Sequence, residues 1–164
     1  MVSLPSYDNN LFAQGISSRD YERLSANPER PLINHAIGGQ YPPGSTFKII
    51  PAAASLQEKI VDQRTTRTCE GEMLLPNKYF PDDLEMAQVF KCWYKWGHGD
   101  VDIIDALALS CDIYFYQVTG GFEGFDGLGM PKLGEYAKAF GFGELTGIAL
   151  PGENPGLIPD SRWK

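Results

Sequence analysis

The sequence predicts an α+β fold, mostly helical, on three observations. Several segments carry apolar residues at helical spacing, most clearly 45–58, 101–109 and 131–140. Between and beyond them lie short extended stretches punctuated by proline and glycine, which read as strands or hairpins. The 164 residues, 43% hydrophobic and 12% aromatic, hold enough apolar material for one core, so residues 1–164 are read as a single domain.

In chain order, residues 1–44 are rich in Pro, Ser, Asn and Gly and predict an extended opening strand, then loop with short helical turns over Ser17–Leu24. From Ser45 to about Glu58, Phe47, Ile50 and Ala54 mark one helix face, with Gly44 available as its cap. Pro51 lacks the N–H that would reach Phe47, so the helix must bend, at about 3 kcal/mol, unless its first turn is tightened. Residues 65–100 read as an irregular subregion containing a short hairpin, punctuated by Pro76, Pro81, Gly97 and Gly99. Asp100 is expected to cap a helix over Val101–Leu109, which Ile113–Val118 continue. Pro131 opens a helix that runs to Phe140 and is closed by Gly141 and Gly143. Gly147–Leu150 is a strand candidate before a Pro/Gly loop.

The formal charge of -7 comes with no Lys/Arg run, which argues against a nucleic-acid partner. No apolar run approaches the roughly 20 residues of a membrane span, and the first residues have no signal-peptide pattern. Met1 and the end at Trp163-Lys164 carry no start or stop signal, so the chain is read as a fragment.

Within YPPGSTFK, Ser45 and Lys48 stand one helical turn apart on one face. A serine hydroxyl attacks carbonyl carbon only when a neighbouring base accepts its proton, and lysine serves only as the uncharged amine. Burial against Phe47, Ile49 and Ile50 and the positive end of the helix dipole both favour that form. The same dipole favours an oxyanion, to which the Ser45 N–H is a candidate donor. The bare pattern is weak, since Ser161-Arg162-Trp163-Lys164 also matches, and the plain alternative is a helix start with an exposed lysine. Ser110-Cys111-Asp112 adds weight: it falls between two apolar helical segments, where polar groups are buried unless they face a cleft. Ser6-Tyr7-Asp8 and Ser18-Arg19-Asp20 also match Ser-x-Asp but lie in polar, loop-like surroundings.

Taken in order, YPPGSTFK, WYKWGHGDVDIIDALALSCDIYFYQV and FGFGELTGIALPGE resemble the transpeptidase domain of class B penicillin-binding proteins, in particular the elongation-type penicillin-binding protein 2 group, where Ser-x-Asp often replaces Ser-x-Asn. The likeness runs from PSYDNNLF to IPDSRWK. It implies a truncated penicillin-binding, serine β-lactamase-like fold: mainly the helical lobe, without the C-terminal sheet strands. It further implies Ser45 as the acylated nucleophile, Lys48 as its base, Ser110 as a proton relay, and Asp112 as a hydrogen-bonding partner of substrate or lysine. The implied reaction attacks the D-Ala-D-Ala end of a peptidoglycan stem peptide, releases D-alanine and passes the acyl group to a neighbouring amine; β-lactam antibiotics would acylate the same serine. The family's Lys-Thr/Ser-Gly motif is absent, and Leu145-Thr146-Gly147 lacks its cation, so this piece is expected to want one wall of the cleft and to be inactive alone. The resemblance also implies the periplasmic face of the inner membrane, an anchor outside this chain, and a membrane glycan polymerase and rod-elongation proteins as partners. An exposed sheet edge makes a homodimer of the fragment an open alternative.

Cys69, Cys92 and Cys111 are odd in number, and His98 sits between glycines in Trp96-Gly97-His98-Gly99. Three thiolates and an imidazole make a closed tetrahedral zinc site; the alternative is a Cys69-Cys92 disulfide with Cys111 buried and free. Elongation-type relatives are read as holding zinc at matching places, where it would pin the 65–100 subregion onto the helix of Ser110 and Asp112. Trp93, Tyr94 and Trp96 are expected to pack over that loop, or else to line a groove. Asp82-Asp83-Leu84-Glu85 reads as a solvated loop and His35 as structural or solvent-facing. Two other functions stay open: a serine D,D-carboxypeptidase or β-lactamase, and a non-catalytic zinc-bearing interaction module.

Overall fold

The computed structural model describes residues 1–160 and 162–163, so the second Ser-x-x-Lys, Ser161 and Lys164, lies outside the described residues. The chain groups into two compact units, Met1–Pro42 with Gly143–Gly156, and Pro43–Phe142 with the segment from Leu157.

In the first unit, α1 (Ser18–Ser25) starts where the Ser17 hydroxyl accepts the N–H of Asp20 and in turn donates to its carboxylate. Ser18 and Asp20 therefore open the helix expected over Ser17–Leu24, in surroundings that are exposed but not loop. No strand forms over residues 1–8, and Gly147–Leu150 is not extended ladder either. Both stretches lack a paired neighbour strand, and Thr146 instead donates its N–H to the Glu153 carboxylate at 2.8 Å. His35 is held between Tyr41 and the Glu29 carbonyl, a structural role.

The second unit carries the core. Its opening turn is a 3₁₀ helix over Gly44–Lys48 flanked by Pro43, one residue earlier than the expected cap. It leads into α2 (Ile49–Gln57). This resolves the Pro51 problem: Pro51 stands in the first turn of α2, where its missing N–H has no intrahelical acceptor to lose.

The 65–100 subregion forms two nested antiparallel ladders. β1 (Arg67–Cys69) pairs with β4 (Gly99–Val101), and inside them β2 (Glu72–Leu75) pairs with β3 (Gln88–Lys91). Asp82, Asp83 and Glu85 sit exposed at the loop between β2 and β3, where Asp83 caps the Glu85 N–H. Asp100 belongs to β4 and accepts the Thr68 hydroxyl at 2.6 Å. The cap of α3 (Ile103–Ala108) is Asp102, whose carboxylate accepts the N–H groups of Ile104 and Asp105. Sequence reasoning erred there because ladder pairing claimed the earlier aspartate.

α4 (Asp112–Gly120) follows α3 after a three-residue corner, and α5 (Met130–Ala139) opens with Pro131 in its first turn as expected. Ile103, Ile113, Tyr114 and Val118 form the centre of the core, packed with Ala52 of α2 and Val101 of β4. Mixed helix and sheet, with only two-stranded sheets among the described residues, agrees with the expected fold class. No helix among the described residues is long and apolar enough to cross a membrane.

Candidate active site

Ser45 and Lys48 share the 3₁₀ turn before α2. At three residues per turn, positions i and i+3 eclipse, so the two side chains leave from one face. Both line a cleft of about 520 Å³ together with Asp112 of α4 and the apolar Phe47, Met73 and Phe115. Ser45 is exposed at this cleft, whereas the Lys48 side chain is only 11% exposed.

Lys48 reaches across the chain to the corner between α3 and α4. Its Nζ donates to the Ser110 carbonyl at 2.6 Å, to the Ser110 hydroxyl at 3.1 Å and to Asp112 Oδ1 at 2.6 Å. These partners lie 62 and 64 residues away in sequence. Three acceptors match the three donors of an ammonium. No hydrogen bond joins Lys48 to the Ser45 hydroxyl among the described residues. The arrangement is thus an ion pair between Lys48 and Asp112, with Ser110 as the further partner. The expected packing of Lys48 against Ile49 is not found: Ile49 is 60% exposed, and the ring beneath the ammonium is that of Phe115, 5.9 Å away. A 3₁₀ turn rotates Ile49 outward relative to an α-helical start.

The corner has an explicit geometry. The Ser110 N–H donates to the Leu107 carbonyl and the Cys111 N–H to the Ala106 carbonyl. This double closure is the Schellman C-terminus, whose left-handed position is usually glycine. Ser110 occupies it at φ +53°. A side chain held in that strained region offers Lys48 both a carbonyl and a hydroxyl from one residue. Cys111 then caps α4, its sulfur accepting the Tyr114 N–H, and puts Asp112 in the first turn, where the helix dipole favours a carboxylate.

Directly behind this corner the sulfurs of Cys69, Cys92 and Cys111 and a ring nitrogen of His98 all lie within 4.8 Å of one another. His98 Nδ1 is 3.7 Å from Cys69 Sγ and 3.6 Å from Cys92 Sγ. All three cysteines are buried and free, so the Cys69-Cys92 disulfide is not formed. Zn–S bonds of about 2.3 Å set tetrahedral sulfurs roughly 3.8 Å apart, so this donor set could hold a metal ion. Burial pushes the Cys111 thiol up to about 12, and a coordinated cation reverses that preference by taking the thiolate. The rings of Trp93 and Tyr94 lie 5.6 and 5.2 Å from that of His98, so they pack over the loop as expected.

Trp93 also makes contacts with the Ser110 corner that sequence reasoning missed. Its backbone N–H donates to Asp112 Oδ2 at 3.1 Å, and its indole N–H to the Leu109 carbonyl at 3.0 Å. A signal did exist: Cys92 and Cys111 are candidate ligands of one ion, which forces the residues that follow them, Trp93 and Asp112, together.

A fold of mixed helix and sheet with this serine-lysine turn facing a Ser-x-Asp corner belongs to the class of penicillin-recognising proteins, and the penicillin binding protein transpeptidase domain matches residues 1–164. The chain belongs to that family. Among individual relatives it is 43% identical, over its whole length, to 23% of the peptidoglycan D,D-transpeptidase MrdA of Haemophilus influenzae. It also superposes on Pseudomonas aeruginosa PBP2, solved in complex with WCK 5153, with a TM-score of 0.80 at 35% identity, covering 99% of this chain and 34% of that one. PBP2 of Helicobacter pylori, in complex with MreC, gives a TM-score of 0.82 at 30% identity, covering 99% of this chain and 28% of that one. The chain therefore spans about a quarter of the length of the curated relative it matches.

Proposed function

We propose that residues 1–164 are part of one transpeptidase domain of a peptidoglycan D,D-transpeptidase, with Ser45 as nucleophile. The observation that carries this reading is that Lys48, which lines one cleft with Ser45 and Asp112, also reaches the Ser110 hydroxyl and the Asp112 carboxylate. Lys48, once neutral, takes the Ser45 hydroxyl proton as the oxygen adds to the penultimate D-Ala carbonyl. The peptide C–N bond then breaks, and Ser110 relays the proton to the departing amine of D-alanine. A second stem's amine attacks the resulting ester, and its proton returns to Ser45 as the acyl group leaves. Asp112 holds Lys48 in place through both half-reactions. β-Lactams enter the first half-reaction by ring opening and stop there as an ester on Ser45.

The same reading gives Cys69, Cys92, His98 and Cys111 a structural zinc ion, bound as three thiolates and one imidazole, which pins the 65–100 subregion against the Ser110 corner. It places the protein on the periplasmic side of the inner membrane, anchored outside this chain, working beside a glycan polymerase and rod-elongation proteins. The MreC complex of the Helicobacter pylori relative is in keeping with such partners.

The test is acylation of the full-length protein by a fluorescent penicillin, with the adduct located by mass spectrometry. An adduct on Ser45, lost in Ser45→Ala while that variant still folds, is the expected result. A folded protein that takes no label points to a zinc-bearing binding module instead.

A further inference from the structure

Ser110 is gripped from one side by Lys48, and the structure also presents what stands on the other. Trp93 makes two hydrogen bonds that bracket this corner: the indole N–H reaches the Leu109 carbonyl, just before Ser110, and the backbone N–H reaches Asp112 Oδ2, two residues after it. Leu109 is the C-cap of α3, and the closure of that helix uses the carbonyls of Ala106 and Leu107, so the Leu109 carbonyl has no helical donor of its own. The indole supplies one. Trp93 follows Cys92, and its ring lies against Tyr94 and His98, so its place does not depend on the cleft side of the corner.

We infer that Trp93 is a positioning residue for the acyl transfer proposed above, and the inference rests on that reading. The closure of α3 already holds the N–H groups of Ser110 and Cys111, so the groups beside Ser110 that still need a partner are the carbonyl before it and the carboxylate after it. Lys48 fixes the carbonyl and hydroxyl of Ser110 itself and one Asp112 oxygen. Trp93 fixes the remaining Asp112 oxygen and the preceding carbonyl. Without the indole bond, the hydroxyl of Ser110 spends less time within reach of Lys48, and proton relay slows while the cleft that receives the ligand is unchanged. The donor of both bonds, Trp93, belongs to neither the Ser-x-x-Lys nor the Ser-x-Asp motif.

The experiment uses the full-length protein and a fluorescent penicillin, with the acylation rate constant and the half-saturating concentration measured separately. At position 93 the tryptophan is replaced site-specifically by benzothienylalanine, which keeps the ring shape and lacks only the N–H donor; Trp93→Phe is a second variant. Trp96→Phe is the control, since Trp96 sits in the same loop, 74% exposed, and contacts Lys95 instead of the corner. Loss of one such bond predicts acylation slower by about fivefold in both Trp93 variants. The half-saturating concentration and zinc content stay at the wild-type values, the melting temperature falls by no more than about 4 °C, as one lost hydrogen bond allows, and Trp96→Phe acylates at the wild-type rate. An unchanged rate constant in the benzothienylalanine protein overturns the inference and leaves the acyl-transfer reading standing. So does a change confined to the half-saturating concentration, or slowing that appears only together with lost zinc. Wild-type protein that is folded but never labelled on Ser45 overturns both.

Discussion

Ser110 pays a conformational cost at the one place where a helix end ordinarily uses glycine, and its partners explain why the cost is retained. At φ +53° its carbonyl and hydroxyl both face Lys48. Replacing it by glycine relieves strain of about 1 kcal/mol and leaves Lys48 its Ser110 carbonyl and Asp112 contacts. Ser110→Gly is therefore expected to melt at or slightly above the wild-type temperature while acylation of Ser45 slows by about a hundredfold, as for loss of a proton-relay group. Calorimetry and penicillin labelling on one preparation check both halves. A parallel fall in stability and rate would instead make Ser110 a structural residue. Both serine motifs were legible because each is short and its chemistry demands a fixed spacing. The ammonium contacts of Lys48 were not, because they depend on residues more than sixty positions away.

At the scale of elements, the loop that follows β3 carries His98 back to the cysteines only because Gly97 passes close to another backbone. A Cβ on Gly97 would stand 2.3 Å from the Cys69 carbonyl oxygen, and its φ is +79°. Gly97→Ala should thus cost roughly 2 kcal/mol or more through overpacking and backbone strain. With the zinc ion proposed above, it should also lower zinc content, read by metal analysis beside urea unfolding of the purified full-length protein. Retention of stoichiometric zinc with unchanged stability would show that the loop accommodates the methyl group elsewhere. The sequence marked this stretch as irregular because Pro and Gly interrupt every period. The inner β2–β3 ladder answers to the expected hairpin, whereas the outer one escaped because β1 and β4 pair across the whole subregion and pairing partners leave no local signature.

For the molecule as a whole, Tyr114 lies at the centre of the core, fully buried, with its hydroxyl directed at the Thr65 carbonyl at 3.3 Å. Burial first, then the negative charges of Asp102 and Asp62, push its phenol from 10.0 up to about 12. The folded state prefers the neutral phenol. The corresponding stability is complete below pH 10.0 and is lost as pH rises through about 12. Urea unfolding between those limits should therefore fall more steeply for wild type than for Tyr114→Phe, by up to about 1.4 kcal/mol per pH unit. Equal slopes would mean that the phenol titrates normally and that the core admits water there.

The sequence by itself determined the mixed helical class, the serine and lysine one turn apart, the Ser-x-Asp corner and the four metal-ligand candidates, because spacing and residue chemistry are local properties. Tertiary structure alone decided that Pro51 falls harmlessly in a first turn, that Asp102 and not Asp100 caps α3, and that Lys48 rests on Asp112. It alone put Trp93 behind Ser110. Each of these depends on which distant backbone donor or acceptor is left without a partner once the core has packed, and one-dimensional order does not specify that.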